Sequence, residues 1–178
     1  LLARPAWAET VLTGLAEPAD KLGFNLALSC AAQLGIPVLE HALRHLNDNP
    51  DNAYVWQVAV KRADAGTIGR VAELARTVLP IADIASGPAL SLGLGRGYQY
   101  DHALEIVVCG LAPYPSTAPD LVRAALASRV IRVRRAALGV LGRWPGDYRD
   151  WVADAAAAEP DAKLRAEMEK YLGGADQA

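Results

Sequence analysis

Several residue groups in this sequence have types and spacings that chemistry uses. Asp101 and His102 follow a glycine-rich stretch, Gly93-Leu94-Gly95-Arg96-Gly97, with Ser86 and Ser91 just upstream. An acid beside an imidazole suits general acid–base work, and glycine N–H groups can cradle phosphate. The dinucleotide fingerprint needs a third glycine after two further residues; counted from Gly93 that position is Tyr98, and from Gly95 it is Tyr100. No Lys-Ser or Lys-Thr follows, so the stretch is not a P-loop either. Neither serine sits in a Gly-x-Ser-x-Gly elbow, so an activated nucleophile is not indicated. The plainer reading makes the glycines hinges for tight packing, Asp101 a helix N-cap and His102 a first-turn residue.

His41 and His45 lie four apart, next to Glu40. Imidazoles at that spacing share a helix face and can bind zinc, but the order is not that of a metalloprotease and no cluster supplies a third ligand. The alternative places both on a solvated face opposite Leu39, Leu43 and Leu46. Arg123, Arg129, Arg132, Arg134, Arg135, Arg143 and Arg149 form a basic run interrupted by Asp147 as its lone acid. Such a run can face phosphates. Trp7, Trp56, Trp144 and Trp151 are candidate interface anchors or core residues.

The elements that must position these groups are helical. Apolar residues recur every three or four positions: Trp7, Val11 and Leu15; Leu22, Leu26 and Cys30; Leu39, Leu43 and Leu46; Val55, Val58 and Ala59; Ile68, Val71, Ala75 and Val78. The pattern continues with Leu104, Val107, Val108 and Leu111, then Leu121, Val122, Ala125 and Leu126. Val130, Val133, Ala137, Val140 and Trp144 follow, then Trp151, Ala155 and Ala158, and last Leu164, Met168, Tyr171 and Leu172. The stretch 47–52 is a turn by composition. Residues 81–98 hold four glycines and a proline with no helical period, and are expected to form a long ordered loop. Helix is expected to resume at Asp101. No strand pattern is present.

The chain also repeats itself. At an offset of 30, Leu111, Tyr114-Pro115, Asp120-Leu121-Val122 and Ala125 match Leu141, Trp144-Pro145, Asp150-Trp151-Val152 and Ala155. At an offset of 31, Val133-Arg134, Ala137 and Leu141 match Leu164-Arg165, Met168 and Leu172. A two-helix unit of this length cannot bury its apolar stripe alone, whereas stacked copies can.

Ser128-Arg129-Val130-Ile131-Arg132-Val133-Arg134-Arg135-Ala136-Ala137-Leu138 resembles the inter-helix turn and second helix of a HEAT repeat, and 159–165 resembles the same element again. The resemblance is good over 101–172 and weaker over 1–80. It implies an all-α superhelix of HEAT-like helix pairs with one long Gly-rich loop, forming a single domain over 1–178. It also implies that Arg134 and Arg165 pair with a carboxylate of a neighbouring repeat, for which Asp120, Asp150 and Asp154 are candidates. The chain also resembles bacterial HEAT-like proteins that carry a limonene hydroxylase label. That activity is not supported by the residues, because a haem monooxygenase needs a thiolate in a Phe-rich, Gly-rich loop and the sequence has a single Phe.

Solenoids of this kind usually bind proteins, so the expected function is a non-enzymatic interaction scaffold. Its expected contacts are Arg132 and Arg135 on the concave face and Arg96, Tyr98 and Tyr100 on the loop, meeting an acidic or extended partner segment. Nucleic-acid binding through the 123–149 arginines is the first alternative, an architecture shared with the alkylpurine glycosylases. An enzyme or ligand-binding protein using 86–102 is the second. No cofactor, metal or membrane partner is expected. A net charge of −2 gives no global attraction to nucleic acid or anionic lipid. Two cysteines are too few for a disulfide framework, which suggests a cytoplasmic setting. The start at Leu1, in what reads as mid-domain sequence, suggests a longer parent protein.

Overall fold

The computed structural model describes residues 5–174, so the expected domain span of 1–178 runs beyond the described residues at both ends. These residues form eleven α-helices: α1 (Pro5–Ala16), α2 (Lys21–Gln33), α3 (Leu39–Asp48), α4 (Ala53–Arg62), α5 (Ile68–Val78), α6 (Ile81–Ile84), α7 (Gln99–Leu111), α8 (Pro119–Leu126), α9 (Ile131–Leu141), α10 (Arg149–Ala158) and α11 (Ala162–Gly174). The all-helical expectation holds among them. None of these helices is long and apolar enough to cross a membrane.

Helix ends follow the local chemistry. The Asp20 carboxylate accepts from Gly23 N at 2.7 Å and caps α2. The Asp161 carboxylate accepts from Leu164 N at 2.8 Å at the start of α11. Pro119 opens α8, where a missing N–H costs nothing.

Neighbour relations run along the chain. α1 packs on α2, and α3 on α4 and α5. α4 then packs on α7, α7 on α9 and α9 on α11, while α8 touches α7, α9 and α10. The apolar stripes meet in one cluster, from Val11 and Leu15 through Leu104 and Leu121 to Leu164 and Met168. Two aromatics make matching contacts. Tyr114 donates its hydroxyl to Ala63 O, just past the end of α4, at 3.2 Å. Trp144 donates its indole N–H to Leu111 O, at the end of α7, at 3.1 Å. The α4–α7 contact is close enough to demand glycine: a Cβ on Gly110 would lie 2.0 Å from Val60 Cγ1.

Four sequence expectations are corrected here. The α2 stripe is Phe24, Leu28 and Ala31, whereas Leu22, Leu26 and Cys30 face outward. Residues 81–98 are not wholly loop: Ile81–Ile84 makes a helical turn and Arg96–Tyr98 a 3-10 turn. α7 begins at Gln99, so Asp101 is not its N-cap but a buried first-turn residue. His45 is not on a solvated face. Its ring stacks on Phe24 at 3.8 Å between centroids, and Asn52 Nδ2 sits 3.2 Å from its Nε2.

Candidate functional site: a buttressed leucine loop

The segment between α6 and α7 is tied down along its length. Gly87 N donates to Ala127 O at 3.0 Å, Arg129 N to Ile84 O at 3.1 Å and Ile131 N to Ser91 O at 3.0 Å. Ser91 thereby forms an isolated parallel bridge with Val130. Gly93 lies at φ +68° against Val130, where a Cβ would sit 2.6 Å from Val130 Cγ1. Left-handed backbone and close approach together require glycine there.

Two ion pairs hold this segment from beneath. The fully buried Arg134 donates to both Glu159 oxygens at 2.6 Å, to Ser128 O at 2.7 Å and to Ala89 O at 3.1 Å. Glu159 is buried as well, and its second role is to accept from Asp161 N at 2.9 Å. A buried ion pair is tolerable because nearly every donor and acceptor is satisfied. Arg165 repeats part of the pattern, donating to Glu159 O six residues upstream as Arg134 does to Ser128 O. At the other end of the segment, Arg129 grips the buried Asp101 at 2.9 and 3.2 Å and donates to Gly97 O at 3.1 Å. Its guanidinium also lies over the Tyr98 ring, 4.9 Å from the centroid.

The result is an ordered backbone with apolar side chains pointing away from it. Leu90, Leu92 and Leu94 are 66%, 65% and 73% exposed, while the intervening Ser91 and Gly93 turn inward. Sequence reasoning missed these leucines. The available signal was their alternation with small residues, a period-two pattern inside a glycine-rich stretch. Beside the segment lies a cleft of about 200 Å³ between α8 and α10, lined by Pro88, Leu126, Trp151, Ala155 and Ala158, with Arg123 and Asp154 also in its lining. The Arg123 guanidinium lies 5.4 Å from the Trp151 ring centroid.

The residues expected to meet a partner are divided by the structure. Arg96 is exposed at the loop end, Tyr100 is exposed but lies in the first turn of α7 rather than on the loop, and Tyr98 is half-buried under Arg129. Arg132 and Arg135 are not open solvated contacts: Arg132 sits 2.9 Å from Glu105 of α7 and Arg135 sits 2.9 Å from Glu167 of α11. Arg134 does pair with a carboxylate from the next turn, but it is Glu159 rather than an aspartate. Asp120 instead takes Arg76 of α5 at 2.6 Å, which lowers its carboxyl pKa. Asp101 and His102 do not cooperate either. Asp101 is bound to Arg129, and His102 Nδ1 lies 3.1 Å from Glu105. The Ser91 hydroxyl accepts from Gly93 N. No group of three or more metal-ligating side chains gathers among the described residues.

No family model matches the chain, and no curated protein or solved structure is found similar to it.

Proposed function

We propose that this chain is a non-catalytic protein-interaction module, built as a HEAT-like α-solenoid, that binds a protein through the loop face. The observation that carries the reading is the row of Leu90, Leu92 and Leu94, exposed yet seated on hydrogen-bonded backbone. Three such side chains expose on the order of 350 Å² of apolar surface, within the range of the largest and often functional patches on single-chain proteins. Arg96 and Tyr100 flank the row and add charge and an aromatic edge. Three observations support the solenoid part. They are the serial contacts of α4, α7, α9 and α11, the matching carbonyl contacts of Tyr114 and Trp144, and the shared turn contacts of Arg134 and Arg165.

Nucleic-acid binding is less favoured because four of the seven arginines in the basic run are paired with carboxylates. Arg129, Arg132, Arg134 and Arg135 each face a carboxylate, and Arg123 stacks over Trp151. The test is an affinity capture with Leu90→Asp/Leu92→Asp beside Arg132→Glu/Arg135→Glu. A protein recovered by the wild type and the arginine variant, but lost with the leucine variant, is the expected outcome. Loss with the arginine variant alone would return the contact to the α9 face, and recovery that depends on nucleic acid would sink the reading.

A further inference from the structure

We propose that the groove between α2 and α4 is a second binding site, separate from the loop face, and that it takes the C-terminal end of a partner protein: the free carboxylate, the apolar last side chain and the peptide bonds before them. Each part of that ligand answers a feature of the groove.

First, the groove is a fixed gap. Asn52, just ahead of α4, donates its side-chain amide to Asn25 Oδ1 at 3.0 Å, and Arg62, the last residue of α4, reaches Ala32 O at 3.4 Å. α2 and α4 therefore run side by side in the same direction and are tied at both ends. Between the ties they do not close up as α4 and α7 do at Gly110. Two adjoining cavities remain, of about 280 and 240 Å³, and both are lined by Ala32 and Arg62. Together they fall within the size range of small-ligand sites, about 300–1,000 Å³.

Second, the larger cavity is polar and cationic. Tyr54, Gln57 and Lys61 lie three and four apart on one face of α4, and Ser29 and Gln33 face them from α2. Among the described residues none of these side chains has a hydrogen-bond partner. Lys61 and Arg62 hold no carboxylate there either, whereas Arg70, Arg76 and Arg129 each do. No Asp or Glu lines either cavity, so the missing group is an anion. Arg62 is set at the junction by Ala32 O and keeps most of its five N–H donors open, enough for a two-point contact with a carboxylate. The Gln33 and Gln57 amides can donate to and accept from a peptide backbone lying along the groove.

Third, the smaller cavity, on the far side of Arg62, is lined by Ile36, Pro37, Val38 and Leu39. A carboxylate at Arg62 sets the side chain of its own residue against this apolar wall. The groove thus offers amides, then cations, then hydrocarbon, which is the order of parts at a chain end. An internal Asp or Glu would have to run a second arm of chain through the apolar cavity, and an inorganic anion would leave both halves unused.

The test is titration of the wild type with acetyl-Gly-Ser-Leu, followed by backbone amide NMR. The amides of 29–39 and 54–62 should shift and saturate with a Kd of about 1 mM or below. The same peptide with its C-terminus amidated, and the free acid on Arg62→Gln, should each bind at least about tenfold more weakly, because each removes charged hydrogen bonds. Acetyl-Gly-Ser-Ser should also bind more weakly. Arg62 is exposed, so Arg62→Gln should keep the wild-type circular dichroism. Arg143→Gln, an exposed arginine in the turn after α9, should bind like the wild type. Leu90→Asp/Leu92→Asp should do so as well, so failure of this site and failure of the loop face are separate results. No saturable shift, or equal binding of the amidated peptide, overturns the proposal. Inorganic phosphate or acetyl-leucine binding as tightly as the tripeptide makes the groove a site for small anions and overturns the assignment to a chain end.

Discussion

Two regions of this chain, the central helices and the N-terminal pair, solve the same packing problem with different means. Around α7–α9 the apolar stripes are locked by buried charge: Asp101, Arg134 and Glu159 are all shielded from solvent and bound to partners. At α1–α2 the helices pack mainly on each other, and the polar links to the following elements are exposed or half-exposed. Lys21 reaches Asp51 at 2.6 Å near the surface, and Asn52 bridges Asn25 and His45. Leu22 and Leu26 remain uncovered. The contrast teaches where stability resides. Buried, fully partnered ions make the central helices costly to disturb, while the N-terminal pair is held by its apolar stripe, a ring stack and a few neutral or surface polar links.

The largest effect should come from breaking the Arg134–Glu159 pair. Arg134→Met or Glu159→Gln each strands a buried partner and should cost about 3–5 kcal/mol in denaturant titrations. The double change to apolar residues should cost less than the sum, because no ion is then left unpaired. Asp101→Ala comes next, at about 1.5–3 kcal/mol, because it removes charged hydrogen bonds to a partly exposed arginine. It should also loosen Tyr98 and the loop end, read as faster proteolysis near 95–98. Gly110→Ala should cost about 1–3 kcal/mol by forcing α7 off Val60. Adding Val60→Ala should recover part of that loss if the clash is the cause.

The smallest effect tests the N-terminal end. Burial against Phe24, with a smaller contribution from Lys21, lowers the His45 pKa from its ordinary 6.5, while Asp48 and Asp51 oppose the shift. The unfolded chain then binds the proton more readily than the folded one, so stability is full above pH 6.5 and falls as pH drops through the folded pKa. Protonation would also set an N–H against the Asn52 amide that faces Nε2. The Tm should decline on acidification below that pH, and His45→Gln should flatten the decline. An unchanged slope in the variant would remove His45 from the account.

Helix content was legible in the sequence because buried positions recur at helical spacing, most plainly at Leu104, Val107, Val108 and Leu111. The facing of α2 was not. Both its sides are apolar, Leu22-Leu26-Cys30 and Phe24-Leu28-Ala31, and periodicity alone cannot choose between them. The need of Arg134 for a carboxylate was what the resemblance of 128–138 to a HEAT-repeat turn and helix implied. Its partner was not legible, since Glu159 lies in a turn 25 residues on, rather than at a helix start. The loop was hardest. Its shape is set by Val130, Ala127 and Arg134, which approach it only in three dimensions, so Leu90, Leu92 and Leu94 gave no helical signal.

The claim that these leucines are presented on a rigid support is tested most directly by amide hydrogen exchange across 84–95 and 127–131. The Gly87, Arg129 and Ile131 amides should exchange as slowly as those of α8 and α9, and should speed up in Arg134→Met. If those amides exchange in the wild type at the rate of an unstructured chain, the leucines sit on a loose loop and the proposed binding face loses its support.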